Sequence, residues 1–115
     1  EFKKVTLTFT SNFFNTPRIS ESIKGLITKL SLGQFQKEGK IDFLVFEDKG
    51  DKVSTEDEGR TMKIPIRGLS VKCYAKRDDY GEPSERVERY GEEVAKELSS
   101  INTKYVVTIM LAEDY

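Results

Sequence analysis

A two-residue rhythm constrains this chain more than any other feature. Val5, Leu7 and Phe9 alternate with Thr6, Thr8 and Thr10, and Met62, Ile64 and Ile66 alternate with Lys63, Pro65 and Arg67. Leu69, Val71, Cys73 and Ala75 alternate with Ser70, Lys72, Tyr74 and Lys76. Successive side chains of a strand point to opposite faces, so each run predicts a half-buried strand, over 3–10, 60–67 and 69–76. Two further runs, 40–48 (Ile41, Phe43, Leu44, Val45, Phe46) and 103–112, are apolar almost throughout and predict strands buried on both faces. Pro65 lacks a backbone donor, so its strand is expected at an edge or with a bulge. The chain must therefore be mostly β.

The connections are less uniform. Residues 11–17 read as a turn whose Phe13 and Phe14 cap the core, and 47–60 as a mobile, charged loop. Pro83 opens a helix with an apolar face of Val87, Tyr90, Val94 and Leu98, closed by two serines and Asn102. Residues 18–36 fit two readings. Ile19, Ile23, Ile27 and Leu30 make a helical face, whereas Leu26, Thr28, Leu30 and Leu32 make a strand face. Gly25 and Gly33 each cost a helix about 1 kcal/mol relative to alanine, and Ser22, Thr28 and Ser31 are poor helix formers. That weighting favours a strand over 22–34. No linker or repeat divides residues 1–115, and one domain is expected.

Composition removes several chemistries. The 115 residues include no histidine and one cysteine. Serine-type triads, histidine bases, histidine-containing zinc sites and internal disulfides are thereby excluded. Cys73 falls in the inward set of its strand and reads as a buried, inert thiol. No nucleotide-binding glycine loop or nucleophile elbow occurs, and no cofactor is expected. Asp42 with Glu47-Asp48-Lys49 offers the residue types of a magnesium-dependent nuclease, but opposite strand parity separates the two carboxylates. No sequon or membrane-length apolar run is present, which points to a cytoplasmic protein.

A net charge of −1 conceals segregation. Residues 59–77 hold six cations (Arg60, Lys63, Arg67, Lys72, Lys76, Arg77) and no acid, while 78–98 hold eight acids and three cations. Local fields govern surface binding, because screening cuts charges off beyond roughly 8–10 Å. Lys63 and Arg67 in the first basic run, and Lys72 and Lys76 in the second, sit at two-residue phase on the outward face, with Tyr74 between the last two. Unpaired nucleic acid needs that combination: cations for phosphates and a ring for a base. Phe35, between Gln34 and Gln36, is a second candidate ring, and Tyr80 in its turn a weaker third. Lys63, Arg67, Lys72, Lys76 and Arg77 would take phosphates, with Tyr74 and Phe35 stacking bases. About four phosphates would give a log–log salt slope near −2.8. The solvated alternative pairs this basic strand with the acidic helix that follows. The acidic tail ending in Tyr115 could dock a partner protein.

Element order and composition resemble the single-stranded-DNA-binding proteins of the OB-fold type made by phages of Gram-positive bacteria such as lactococci. The Ile23-Lys24-Gly25-Leu26-Ile27 and Leu32-Gly33 stretches would match the first barrel strand, 40–47 the second and 60–76 the third; Glu93 to Leu98 resembles the helix that plugs the barrel, and Tyr105 to Leu111 the strand after it. The resemblance implies an OB-fold barrel of about five strands with one helix. It further implies a non-enzymatic protein that binds single strands without sequence preference in phage DNA replication and recombination, within the host cytoplasm. Homo-oligomers (dimer or tetramer) and recombination proteins are the implied partners. That family has two strands after the helix and this chain has room for one, a vacancy that strand 3–10 would have to fill. If 18–31 is helical instead, a ferredoxin-like βαββαβ interaction module is the alternative.

Overall fold

The computed structural model of the chain describes residues 5–37, 39–101 and 103–115. Lys3, Lys4 and Asn102, which the sequence assigns to a strand start and a helix end, lie outside them. Six strands form one mixed sheet: β1 (Val5–Phe9), β2 (Phe43–Glu47), β3 (Ser54–Glu56), β4 (Thr61–Pro65), β5 (Cys73–Asp79) and β6 (Tyr105–Leu111). Their spatial order is β1-β6-β5-β2-β4-β3. β1 runs parallel to β6 and β4 parallel to β2, and the other three pairings are antiparallel.

The β-rich expectation holds, but the barrel does not form. β1 and β3 stand at opposite edges of an open sheet, so closure is absent. The ferredoxin-like alternative places its first strand in the interior of the sheet, and that order is not found either. β1 lies beside β6, the strand after the helices, and extends the sheet to its edge.

The decisive segment is 18–36. It is helical: α2 spans Glu21–Lys37, after the short α1 (Ser11–Asn15). The strand reading fails for three physical reasons. The Ser20 hydroxyl accepts from the Ile23 N–H at 3.2 Å and caps the first turn. The Thr28 and Ser31 hydroxyls donate back to the Lys24 and Ile27 carbonyls at 2.8 and 2.7 Å, so these polar groups are satisfied within the helix. A Cβ at Gly25 or Gly33 would meet no atom within 4 Å, so neither glycine is needed for packing, and their propensity cost is outweighed elsewhere. What outweighs it is Ile27, Ser31 and Phe35, four residues apart and at most 2% exposed. Burying side chains such as Ile27 and Phe35 contributes about 1.5–3 kcal/mol each.

The inner face of the sheet holds the core. Leu44, Phe46, Ile64, Cys73, Ala75, Val107, Ile109 and Leu111 cluster with Phe13, Ile27 and Phe35 from the helices. Phe13 caps this core as expected, whereas Phe14 is 63% exposed. Pro65 ends β4 two positions beyond Lys63, the last residue of β4 that pairs with β3, so its missing donor is tolerated there as the sequence anticipated.

Residues 83–100 do not form one buried helix. A 3₁₀ turn (Pro83–Glu85) leads into α3 (Arg86–Tyr90), and α4 (Glu92–Glu97) follows a break at Gly91, whose φ of +87° suits glycine. These helices pack chiefly on one another. Val87 and Val94 of the expected buried face are exposed. The segment plugs no barrel.

Candidate functional site: the helix-free face of the sheet

Alternation assigns the outward residues to cross-strand rows on the face opposite α2. One row reads Lys63, Val45, Tyr74, Met110; the next reads Glu56, Thr61, Phe43, Lys76, Thr108, Thr8. Phe43 and Tyr74 come from adjacent strands at neighbouring rows, with ring centroids 5.0 Å apart. The chain end turns back after β6, and Tyr115 completes the cluster at 5.4 Å from Phe43 and 5.6 Å from Tyr74, edge-on to both. Such tilted pairs contribute about 0.5–1.5 kcal/mol each beyond area burial. Beside the rings lies an open depression of about 440 Å³, lined by Phe43, Tyr74, Tyr115, Lys76, Thr61, Asp42, Asp57, Asp78 and Arg77.

Asp114 holds Tyr115 in place. Its carboxylate accepts from the Thr10 hydroxyl at 2.8 Å, the Asn12 amide at 2.7 Å and the Leu111 N–H at 3.3 Å. The Asn12 and Thr10 hydrogen bonds hold its pKa below the ordinary 3.8. Because the folded form prefers the ionised carboxylate, this contribution is complete above 3.8 and is lost as the pH falls through and below that value. We expect the Tyr115 ring resonances to lose their cluster shifts in that acid window. In an Asp114→Ala variant the loss should already be present at pH 7; unchanged Tyr115 shifts in that variant would refute the tether.

The cations are distributed differently from the single track the sequence suggests. Lys63, Lys72 and Lys76 do reach the helix-free side, but each meets a carboxylate: Glu56 at 2.9 Å, Glu47 at 3.6 Å and Asp78 at 3.5 Å. Hydrogen bonding to Glu56 raises the Lys63 pKa, so Lys63 stays charged. Lys72 also lies 5.6 Å from the Tyr74 ring centre. Arg60 pairs with Asp42 at 2.9 Å. Arg67 is exposed in the turn after β4, beside Asp48 and Asp51 and away from the rings. Arg77 starts from the opposite face, because its parity matches Cys73 and Ala75, and it borders the depression only from the end of β5. On that opposite face it donates to the Phe35 and Gly39 carbonyls at 3.2 and 2.6 Å and closes the C-terminal end of α2.

Phe35 requires a correction. It is 2% exposed in the core and offers no ring to a base. Its glutamine neighbours suggested exposure only under the strand reading; on a helix they occupy other faces. Tyr80 lies past the end of β5, its N–H bonded to the Lys104 carbonyl at 2.8 Å. The apolar run over 40–48 predicts burial on both faces, yet the odd parity of Phe43, shared with Val45 and Glu47, is the available signal that it faces outward. Tyr115 carried no such signal, since its position depends on a turn closed by Asp114.

Cys73 is buried, and desolvation pushes its thiol up to about 12. Asp42 and Glu47 each pair with a different cation, and among the described residues no three metal-binding side chains converge. Among the described residues no helix is long and apolar enough to cross a membrane. Comparison with protein-family models, curated proteins and solved structures gives no match to this chain.

Proposed function

We propose that the helix-free face binds unpaired nucleic acid, with Tyr74, Phe43 and Tyr115 as the stacking platform and Lys63, Lys72 and Lys76 as the phosphate contacts. The observation that carries this reading is the ring cluster itself: three aromatic side chains in mutual contact on the sheet face opposite α2. Open sheet faces with two or three rings suit splayed bases, because every base has a stackable surface. The three ion pairs do not prevent phosphate binding. Exposed pairs are worth roughly 0–1 kcal/mol, so a lysine exchanges a carboxylate for a phosphate at small cost. They do remove the net positive field, and stacking becomes the larger contribution.

The test is fluorescence anisotropy with oligo-dT and oligo-U over a salt series. With at most three phosphates engaged, log K should fall against log salt with a slope of about −2, shallower than the four-phosphate value. No binding of either oligonucleotide at low salt would overturn the reading. The charge balance of the same face favours a second reading, an interaction module whose protein ligand inserts an apolar side chain among the rings. In that case the amide shifts of β2 and β5 would stay unmoved by oligonucleotide.

A further inference from the structure

We propose that β1 is an assembly edge, onto which a second copy of this chain adds its own β1, antiparallel across a two-fold axis at Leu7, joining two sheets into one. The two edges of the sheet are built differently. β3 has three residues and runs into Asp57 and Glu58, both at positive φ and both charged; shortness, charge and a sharp turn guard it against pairing. β1 has five residues, Val-Thr-Leu-Thr-Phe, with no charge, no proline and no bulge. Among the described residues nothing guards this edge, and such an edge is a template for another strand.

The backbone direction fixes which groups are free. The Thr10 N–H donates to the Ile109 carbonyl at 3.0 Å, so even-numbered residues of this strand face β6. Val5, Leu7 and Phe9 therefore turn their N–H and C=O groups away from the sheet. An antiparallel copy centred on Leu7 sets Leu7 against Leu7 and Val5 against Phe9, all as hydrogen-bonded pairs, closing about six backbone bonds. Thr6 then faces Thr8, on the face where Thr8 already bonds Thr108 at 2.9 Å. The strand is its own complement in residue type, and no like charges are opposed. Phe14, 63% exposed and 6.0 Å from Phe9, extends the apolar edge beside a groove of about 210 Å³. These features favour a second copy over a foreign peptide. The two-fold axis keeps both helix-free faces on one side, with five strand spacings, about 24 Å, between the two β5 strands. The edge is independent of what that face binds.

Two measurements on the full chain decide the matter. Sedimentation velocity from about 1 µM to 1 mM should show a concentration-dependent monomer–dimer equilibrium. Under mild oxidation the double variant Thr6→Cys/Thr8→Cys should form a covalent dimer, because facing residues in a non-hydrogen-bonded pair lie within disulfide reach. Each single variant places its cysteines on the diagonal, about 7–8 Å apart, and should stay largely monomeric. Cys73 is buried and does not compete. A wild-type chain monomeric at every concentration, or cross-linking by the single variants equal to that of the double, overturns the proposal. Pairing with a foreign strand would leave the isolated chain monomeric and is thereby separated.

Discussion

Replacing Tyr74 by alanine is expected to weaken oligo-dT binding at fixed salt by about 5- to 150-fold, the equivalent of roughly 1–3 kcal/mol for one stacked base. Tyr74 occupies the middle of the proposed platform. It touches the Phe43 and Tyr115 rings at 5.0 and 5.6 Å, so its removal also frees both neighbours to reorient. Tyr74→Phe keeps the ring and should retain most of the affinity. The slope against salt should remain near its wild-type value in both variants, since no cation is removed. Phe35→Ala supplies the contrast. That ring lies in the core, and its truncation costs about 3–5 kcal/mol of stability without entering the binding surface. Affinity unchanged in Tyr74→Ala, with the circular dichroism of the folded chain intact, would remove stacking from the account and leave the protein-ligand reading of the same face.

The legible part of this molecule is what alternation controls. Cys73 and Ala75 inward and Tyr74 and Lys76 outward followed from a period of two, and the register of β2, β5 and β6 agrees with it. Two kinds of information were not local. The first is the state of 21–37, where intrinsic preference and tertiary packing conflict. Gly25, Thr28 and Gly33 disfavour a helix by a few tenths to about 1 kcal/mol each, and the burial of Ile27 and Phe35 against the sheet exceeds that sum. No window of sequence contains the sheet that supplies the burial. The second is charge pairing across strands. Lys63 and Glu56 are seven positions apart and Lys72 and Glu47 twenty-five, so a run of cations looks unopposed until β3, β4, β2 and β5 are laid side by side. Arg77 differs again. Its parity was readable, and only its grouping with Lys76 concealed that it faces α2.

Arg86→Ala is expected to destabilise the fold by about 3 kcal/mol, lowering the midpoint of thermal unfolding by about 10–15 °C. Arg86 is 2% exposed. Its Nη1 donates to the Leu98 and Ile101 carbonyls at 3.0 and 2.5 Å, and its Nη2 to the Gly81 and Thr103 carbonyls at 3.3 and 2.7 Å. One planar guanidinium thus ties both ends of the 81–103 excursion together between β5 and β6. Among the described residues no carboxylate forms an ion pair with it, so carbonyl dipoles alone stabilise the buried charge. Among the described residues the Nε–H has no partner. Removing the side chain leaves four carbonyls without their donor and takes away the clasp that α3 and α4, with Val87 and Val94 exposed, cannot replace by packing. Arg86→Lys keeps the charge but loses the planar fork, and should recover only a minor part of the loss. Amide hydrogen exchange across 83–100 should accelerate in both variants. If thermal unfolding is unchanged while exchange accelerates, the excursion opens separately from the sheet, and Arg86 stabilises it locally rather than the whole fold.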